Sequence, residues 1–182
     1  NVEKNAADLS GESWAANVDP AAAAELSVNG KLYGQPVQDV SAVWALAYNR
    51  ALFDELGLEI PTTYDELCAV CDKIMAAGIT PIYESVSDGW HHTLWIENAI
   101  AATQANAGYP AALNENTDTF AGNEEMRTIL TQIKDMVDKG YWGDNYMSNQ
   151  HADAAAAIAS GEYAMVVYNQ GLGTEVNAVD SS

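Results

Sequence analysis

VWALAYNRALFDELGLEIPTTYDELCAVCDKIMAAGITPIY, from Val43 to Tyr83, holds the succession of elements that sets the fold class. It opens on a short, continuous apolar run, Val43–Tyr48, which reads as a strand, and passes through a helix over Arg50–Leu56. A longer helix starts at Thr63, where Thr63 and Glu66 form a capping-box pair. Leu67, Val70, Cys71, Ile74 and Met75 then recur at helical spacing until Gly78 ends the helix. Tyr64, Cys68, Cys71 and Met75 make a second row beside the first. Both cysteines therefore read as buried free thiols that pack as small hydrophobes. Ile79–Tyr83 completes the stretch as another strand.

The same alternation continues outward. Asn123 caps a helix with Glu124 and Glu125 in its positive first turn and a stripe of Met126, Ile129, Leu130, Ile133, Met136 and Val137; Lys139 and Gly140 close it. Trp90–Ala105 and His151–Ser160 read as further helices, residues 106–121 (NAGYPAALNENTDTFA) as a loop, and Tyr163–Tyr168 as a last apolar strand. Apolar strands separated by pairs of helices predict an α/β domain with a helix-covered, mostly parallel sheet.

Composition narrows the function classes. The chain has 182 residues, of which 26 are acidic and 7 basic, for a net charge of −19. Such a field repels phosphate backbones and offers no basic stripe, which argues against nucleic-acid binding. An apolar share of 48% is too high for a disordered acidic chain, so the acidity belongs to a folded surface. No apolar run is long enough to span a membrane, and Asn1 opens no signal-peptide pattern. Asn1–Asn29 and Gly171–Ser182 carry little apolar pattern and read as trimmed ends of something larger.

Several blocks in fixed order now carry a family likeness. GKLYGQPV (from Gly30), YNRALFDELGLEIPTTYDEL (from Tyr48), AAGITPI, DGW, FAGNEEM and IASGEYAMVV, ending at Val167, together resemble the family 1 extracellular solute-binding proteins of bacterial ABC importers, the group that includes maltose-binding protein. The resemblance implies a type II periplasmic-binding-protein-like fold, in which ligand is enclosed between two lobes. On that plan residues 1–29 are a remnant of the first lobe and 30–42 a crossover strand (Lys31–Val37) and hinge. Residues 43–168 are the second-lobe α/β domain, and 169–182 a return segment toward the first lobe. The implied function is carbohydrate binding, with a neutral oligosaccharide as the default ligand, followed by delivery to a membrane permease. The implied location is extracytoplasmic, as a cell-surface lipoprotein or in the periplasm, with any lipid anchor outside this chain. No cofactor is implied.

A saccharide site needs an aromatic platform for apolar C–H faces and amides or carboxylates for hydroxyl groups. Trp90, after Asp88 and Gly89, is the leading platform candidate, and Trp44 a second aromatic that could line the cleft. Gln38, Asp39 and Ser41 follow the crossover strand, where the family places a polar contact. The spacing from Pro36 to Tyr48–Asn49 is about two residues longer than in the family, which leaves the choice among the three open. Asn169 and Gln170 follow the last strand, where the family frequently has an aromatic. His91 and His92, with Cys68, Cys71 or His151, imitate a zinc pattern without its proper spacing, so no metal is expected. Trp14, Trp95 and Trp142 read as packing residues. The rival functions are a glycoside-acting enzyme using Glu84 and Asp88, and the ligand-binding half of an extracellular sensor.

Overall fold

The computed structural model describes residues 2–36, 44–97 and 108–180 and divides into two compact units, residues 1–42 and 43–182. The first unit contains helices α1 (Val2–Asn5) and α2 (Pro20–Glu25) and a minimal hairpin, β1 (Ser27–Val28) with β2 (Lys31–Leu32). Asp19 caps α2, its carboxylate accepting from the N–H groups of Ala21 and Ala22. The hairpin turns on Asn29-Gly30, both at positive φ, the conformation that two-residue turns demand and that this pair adopts readily. Of the expected crossover strand Lys31–Val37, Lys31–Leu32 are extended and pair back on β1, residues 33–36 are irregular, and Val37 lies outside the described residues.

The second unit is built on a three-stranded sheet in the order β3 (Trp44–Tyr48), β5 (Tyr163–Asn169), β4 (Thr80–Tyr83). Helices α3 (Arg50–Leu56), α4 (Tyr64–Ala76), α5 (Tyr109–Asn114), α6 (Glu124–Asp138), α7 (Ala154–Ala159) and α8 (Leu172–Val179) surround it. β5 is central and its first six residues are all buried, the pattern expected of a strand covered on both faces. One core packs Phe53, Leu67, Ile74, Ile82, Met136 and Met165 beneath α3, α4 and α6. The other packs Tyr83, Ala155, Ile158, Val166, Tyr168 and Leu172 beneath α7 and α8.

The expectation of a mostly parallel sheet holds for β4 with β5 and not for β3, which runs antiparallel to β5. Apolar continuity marks burial and says nothing of direction. β3 flanks the sheet, with Ala45 and Tyr48 exposed, so its apolar run is only half covered. Of the loop expected over 106–121, residues 106 and 107 lie outside the described residues and Tyr109–Asn114 form a helix, which takes Pro110 in its first turn, where a missing N–H costs no helical bond.

The two long helices follow their sequence signals closely. Thr63 Oγ1 accepts from the Glu66 N–H, while the Glu66 carboxylate accepts from the N–H and hydroxyl of Thr62, one residue earlier than a standard capping box. These bonds, the Thr62 N–H first, hold the Glu66 carboxyl below its usual range. Asn123 Oδ1 accepts from the Met126 N–H and starts α6. The expected stripes face the core, with Ile133 and Val137 partly buried and Met75 and Leu130 each 41% exposed. Cys71 is buried as expected, whereas Cys68 is only partly buried; both are free thiols. Burial pushes the Cys71 thiol up to about 12.

Candidate functional site

Because β4 and β5 run parallel, their carboxyl ends emerge on the same side of the sheet, and the antiparallel register places Trp44, the start of β3, opposite Asn169 at the end of β5. Strand carboxyl ends are where loops of α/β sheets gather ligand-binding groups. Here residues 84–95 leave β4 and meet residues 149–151, which lead into α7. Four hydrogen bonds join residues 83–88 to residues 149–151. Tyr83 O–H donates to the Gln150 carbonyl (2.8 Å), Ser87 O–H to the Asn149 carbonyl (2.6 Å) and Asn149 Nδ2–H to the Glu84 carbonyl (3.1 Å). The fourth runs from the His151 main-chain N–H to the Asp88 carboxylate.

An aromatic cluster closes over this seam. Trp90 meets Trp44 edge-on, with centroids 5.9 Å apart at 76°, and meets His151 at 4.9 Å and 66°. His151 stacks on Tyr168 at 4.6 Å and 17°. Trp44 also lies 6.2 Å from both His151 and Tyr168. Gly89 in the left-handed region reverses the chain just before Trp90, whose carbonyl accepts from both the N–H and the hydroxyl of Thr93. Trp90 remains 40% exposed, although its ring meets three aromatic neighbours, Trp44, His91 and His151. An indole fixed in place and left open on one side is a stacking platform.

Under the platform lies a buried charged network. His91 and Glu84 are fully enclosed, with His91 Nδ1 2.6 Å from Glu84 Oε1 and His91 Nε2 2.8 Å from the Val167 carbonyl. Both ring nitrogens face acceptors, so both donate and the ring is an imidazolium. Burial pushes its pKa down, but the Glu84 hydrogen bond and charge, with the Val167 carbonyl, outweigh that and hold it above the usual histidine value. Glu84 also accepts from the Ser85 N–H at Oε1 and from the Trp95 indole N–H, 2.7 Å away, at Oε2. His151 is displaced the other way, first by burial and then by the His91 charge, with Asp88, Glu175 and Glu84 offsetting part of the effect.

The structure thus brings Asp88, Trp90 and Trp44 together. Asn169 and Gln170 border a separate open groove of about 610 Å³, lined also by Asn49, Arg50, Ile158 and Leu172. The Asn169 side chain accepts from the Gly171 N–H and shapes the exit from β5. Gln38, Asp39 and Ser41 lie outside the described residues, as does the end of the helix expected over Trp90–Ala105. That helix is interrupted at its start: Trp90 precedes a 3-10 turn, His91–Thr93, and residues 94–97 are helical. His151 and Tyr168 escaped the sequence reading as site residues. The Glu84–Asp88 pair of the enzymatic alternative is not available, since Glu84 is fully buried with both oxygens engaged. Among the described residues no three His, Cys, Asp or Glu side chains converge as metal ligands, and no helix is long and apolar enough to cross a membrane.

Comparison with known proteins bears on this arrangement. The family model described as bacterial extracellular solute-binding protein matches residues 3–181. A probable sugar-binding periplasmic protein of Mesorhizobium japonicum is 28% identical over 83% of this chain and 35% of its own length. A multiple sugar-binding protein of Streptococcus mutans is 24% identical over 84% of this chain and 37% of its own. The chain therefore spans about a third of the length of these curated relatives. Among solved structures, a chitin oligosaccharide binding protein superposes with a TM-score of 0.79 at 22% identity, over 96% of this chain and 44% of that one. A sugar transporter of Bacillus licheniformis in complex with stachyose gives 0.73 at 20%, over 97% of this chain and 47% of that one. These structures establish the fold as that of type II periplasmic binding proteins. With the family match running almost end to end, the chain belongs to the bacterial extracellular solute-binding protein family.

Proposed function

We propose that this chain is one lobe, with adjoining segments, of the substrate-binding component of a bacterial ABC importer, and that it contributes half of an interlobe site for a carbohydrate. The ligand is a neutral oligosaccharide. It stacks on Trp90, backed by Trp44, and exchanges hydrogen bonds with polar groups around the strand ends: Asp88 as an acceptor, Asn169 and Gln170 from the neighbouring groove, and Gln38, Asp39 or Ser41 from the segment before β3. Residues 1–29 belong to the first lobe, 30–42 to the crossover and hinge, and 169–182 to the return segment. The protein acts outside the cytoplasm, attached if at all through a lipid anchor, and passes its ligand to a membrane permease without covalent chemistry.

The single observation carrying this reading is the Trp90 indole, fixed by Trp44 and His151 yet 40% exposed at the carboxyl end of the sheet. Names of the relatives support the ligand class: two are described as sugar-binding, and one solved neighbour holds stachyose. Calorimetry on the full-length protein with raffinose, stachyose and chitotriose tests it. Wild type binds at least one of them without turnover. Trp90→Ala, with an unchanged circular dichroism spectrum, loses at least roughly tenfold in affinity, about 1.4 kcal/mol. Hydrolysis of the sugar, or an indifferent Trp90→Ala, overturns the proposal.

A further inference from the structure

We propose that His151 is a ligand-binding residue whose Nε2–H donates a hydrogen bond to a saccharide oxygen while the sugar stacks on Trp90; this rests on the carbohydrate-binding reading above. Four aromatic rings surround the imidazole, Trp44 among them at 6.2 Å. Tyr168 covers one face at 4.6 Å, Trp90 meets it edge-on at 4.9 Å, and His91 lies 5.2 Å away. Its main chain is pinned by Asp88. A side chain merely filling space has no need of such an orientation, and a hydrogen-bond donor for a ligand does.

The ring's two nitrogens have different surroundings. Nδ1 is enclosed and has no partner, whereas Nε2 is not among the enclosed, unpartnered atoms. Nδ1 lacks a partner in every form of the ring, and of the two neutral forms the one with an orphaned N–H there is disfavoured, because native structures keep buried unpaired N–H groups less often than under-satisfied acceptors. Protonating both nitrogens would bury that same N–H and add a positive charge beside the His91 imidazolium. The remaining form is the neutral ring with its proton on Nε2. The His151 ring lies 4.9 Å from the part-exposed Trp90 indole, centroid to centroid, so an oxygen of a sugar stacked on Trp90 comes within hydrogen-bonding reach of it. Burial first, and then the His91 charge 5.2 Å away, favour the neutral ring over the charged one.

Two variants separate a donor from a packing residue. His151→Phe keeps a flat ring on Tyr168 and removes the N–H; His151→Gln gives up the ring and places an amide N–H near the Nε2 position. Calorimetry on the full-length protein with raffinose, stachyose and chitotriose should show about a tenfold loss for His151→Phe and a smaller loss for His151→Gln. Long-range proton–nitrogen correlation spectra of the wild type at pH 7 should show a neutral Nε2–H imidazole whose signal moves on saccharide addition. Wild-type affinity in His151→Phe, a better-binding Phe than Gln variant, an Nδ1–H tautomer, an imidazolium, or a signal unmoved by bound sugar each overturns the inference and leaves the carbohydrate reading standing. Failure of the wild type to bind any of the three sugars, with the tautomer as expected, overturns both.

Discussion

Replacing Glu84 by alanine strips the buried network of its only carboxylate and leaves three N–H groups, from His91, Ser85 and Trp95, without their acceptor. Removing one partner of a buried, hydrogen-bonded ion pair costs about 3–5 kcal/mol, a large share of the roughly 5–15 kcal/mol that holds a domain together. Glu84→Gln is the gentler test. Its amide oxygen can still serve one side of the network, but the NH2 then confronts a donor. If it faces His91, that ring must give up its Nδ1 proton and accept instead. About 1–3 kcal/mol is expected, the cost of one misplaced buried group.

The pH dependence distinguishes an ion pair from ordinary packing. In the wild type the folded-state pKa of His91 is raised, so its contribution is fully present below the unfolded value near 6.5 and is lost as pH rises through the folded value. In Glu84→Ala the ring keeps its burial without its counter-charge. Its pKa then falls, and the variant loses stability as pH drops through 6.5. The penalty for the alanine variant is therefore greater at pH 6 than at pH 9. Urea unfolding followed by tryptophan fluorescence at both pH values measures it. A penalty below about 1 kcal/mol, or one indifferent to pH, would refute the assignment of a charged His91–Glu84 pair.

Two further outcomes follow from the helices. Native protein treated with a thiol reagent should release one equivalent readily, from the partly buried Cys68, and a second only in denaturant, from Cys71, whose thiol is fully buried with a pKa near 12; two slow thiols or two fast ones would contradict the packing of α4. Asn123→Ala should lower stability by about 1 kcal/mol in the same urea assay, since it removes the acceptor for the Met126 N–H, and no measurable loss would mean that α6 starts elsewhere.

What the sequence made legible was local. Thr63 and Asn123 announce helix starts through side chains that act within three residues, and the stripes of α4 and α6 record a periodic apolar face. The apolar stripes are slightly wider than the face that packs, which leaves Met75 and Leu130 exposed. Strand direction was not legible: Trp44–Tyr48 would show the same apolar run whether it paired parallel or antiparallel to β5. The hairpin at Asn29-Gly30 carries a strong turn signal, but the surrounding segment has too little apolar pattern to mark its strands.

The candidate site shows the same division more sharply. Trp90 could be found because a large amphipathic ring after Asp-Gly is conspicuous by itself. His151 and Tyr168 become site residues only through one another, and their stack joins positions 17 residues apart across the entry to α7 and the whole of β5. Nothing in the local sequence separates Tyr168 from Tyr163, at the other end of the same strand. Tyr163 packs edge-on against Tyr83, whereas Tyr168 lies where His151 and Trp44 converge. What distinguishes them is which end of β5 each occupies. The parallel pairing with β4 fixes that end as the one where residues 84–95 emerge, so the topology decides which of two equivalent tyrosines supports the platform.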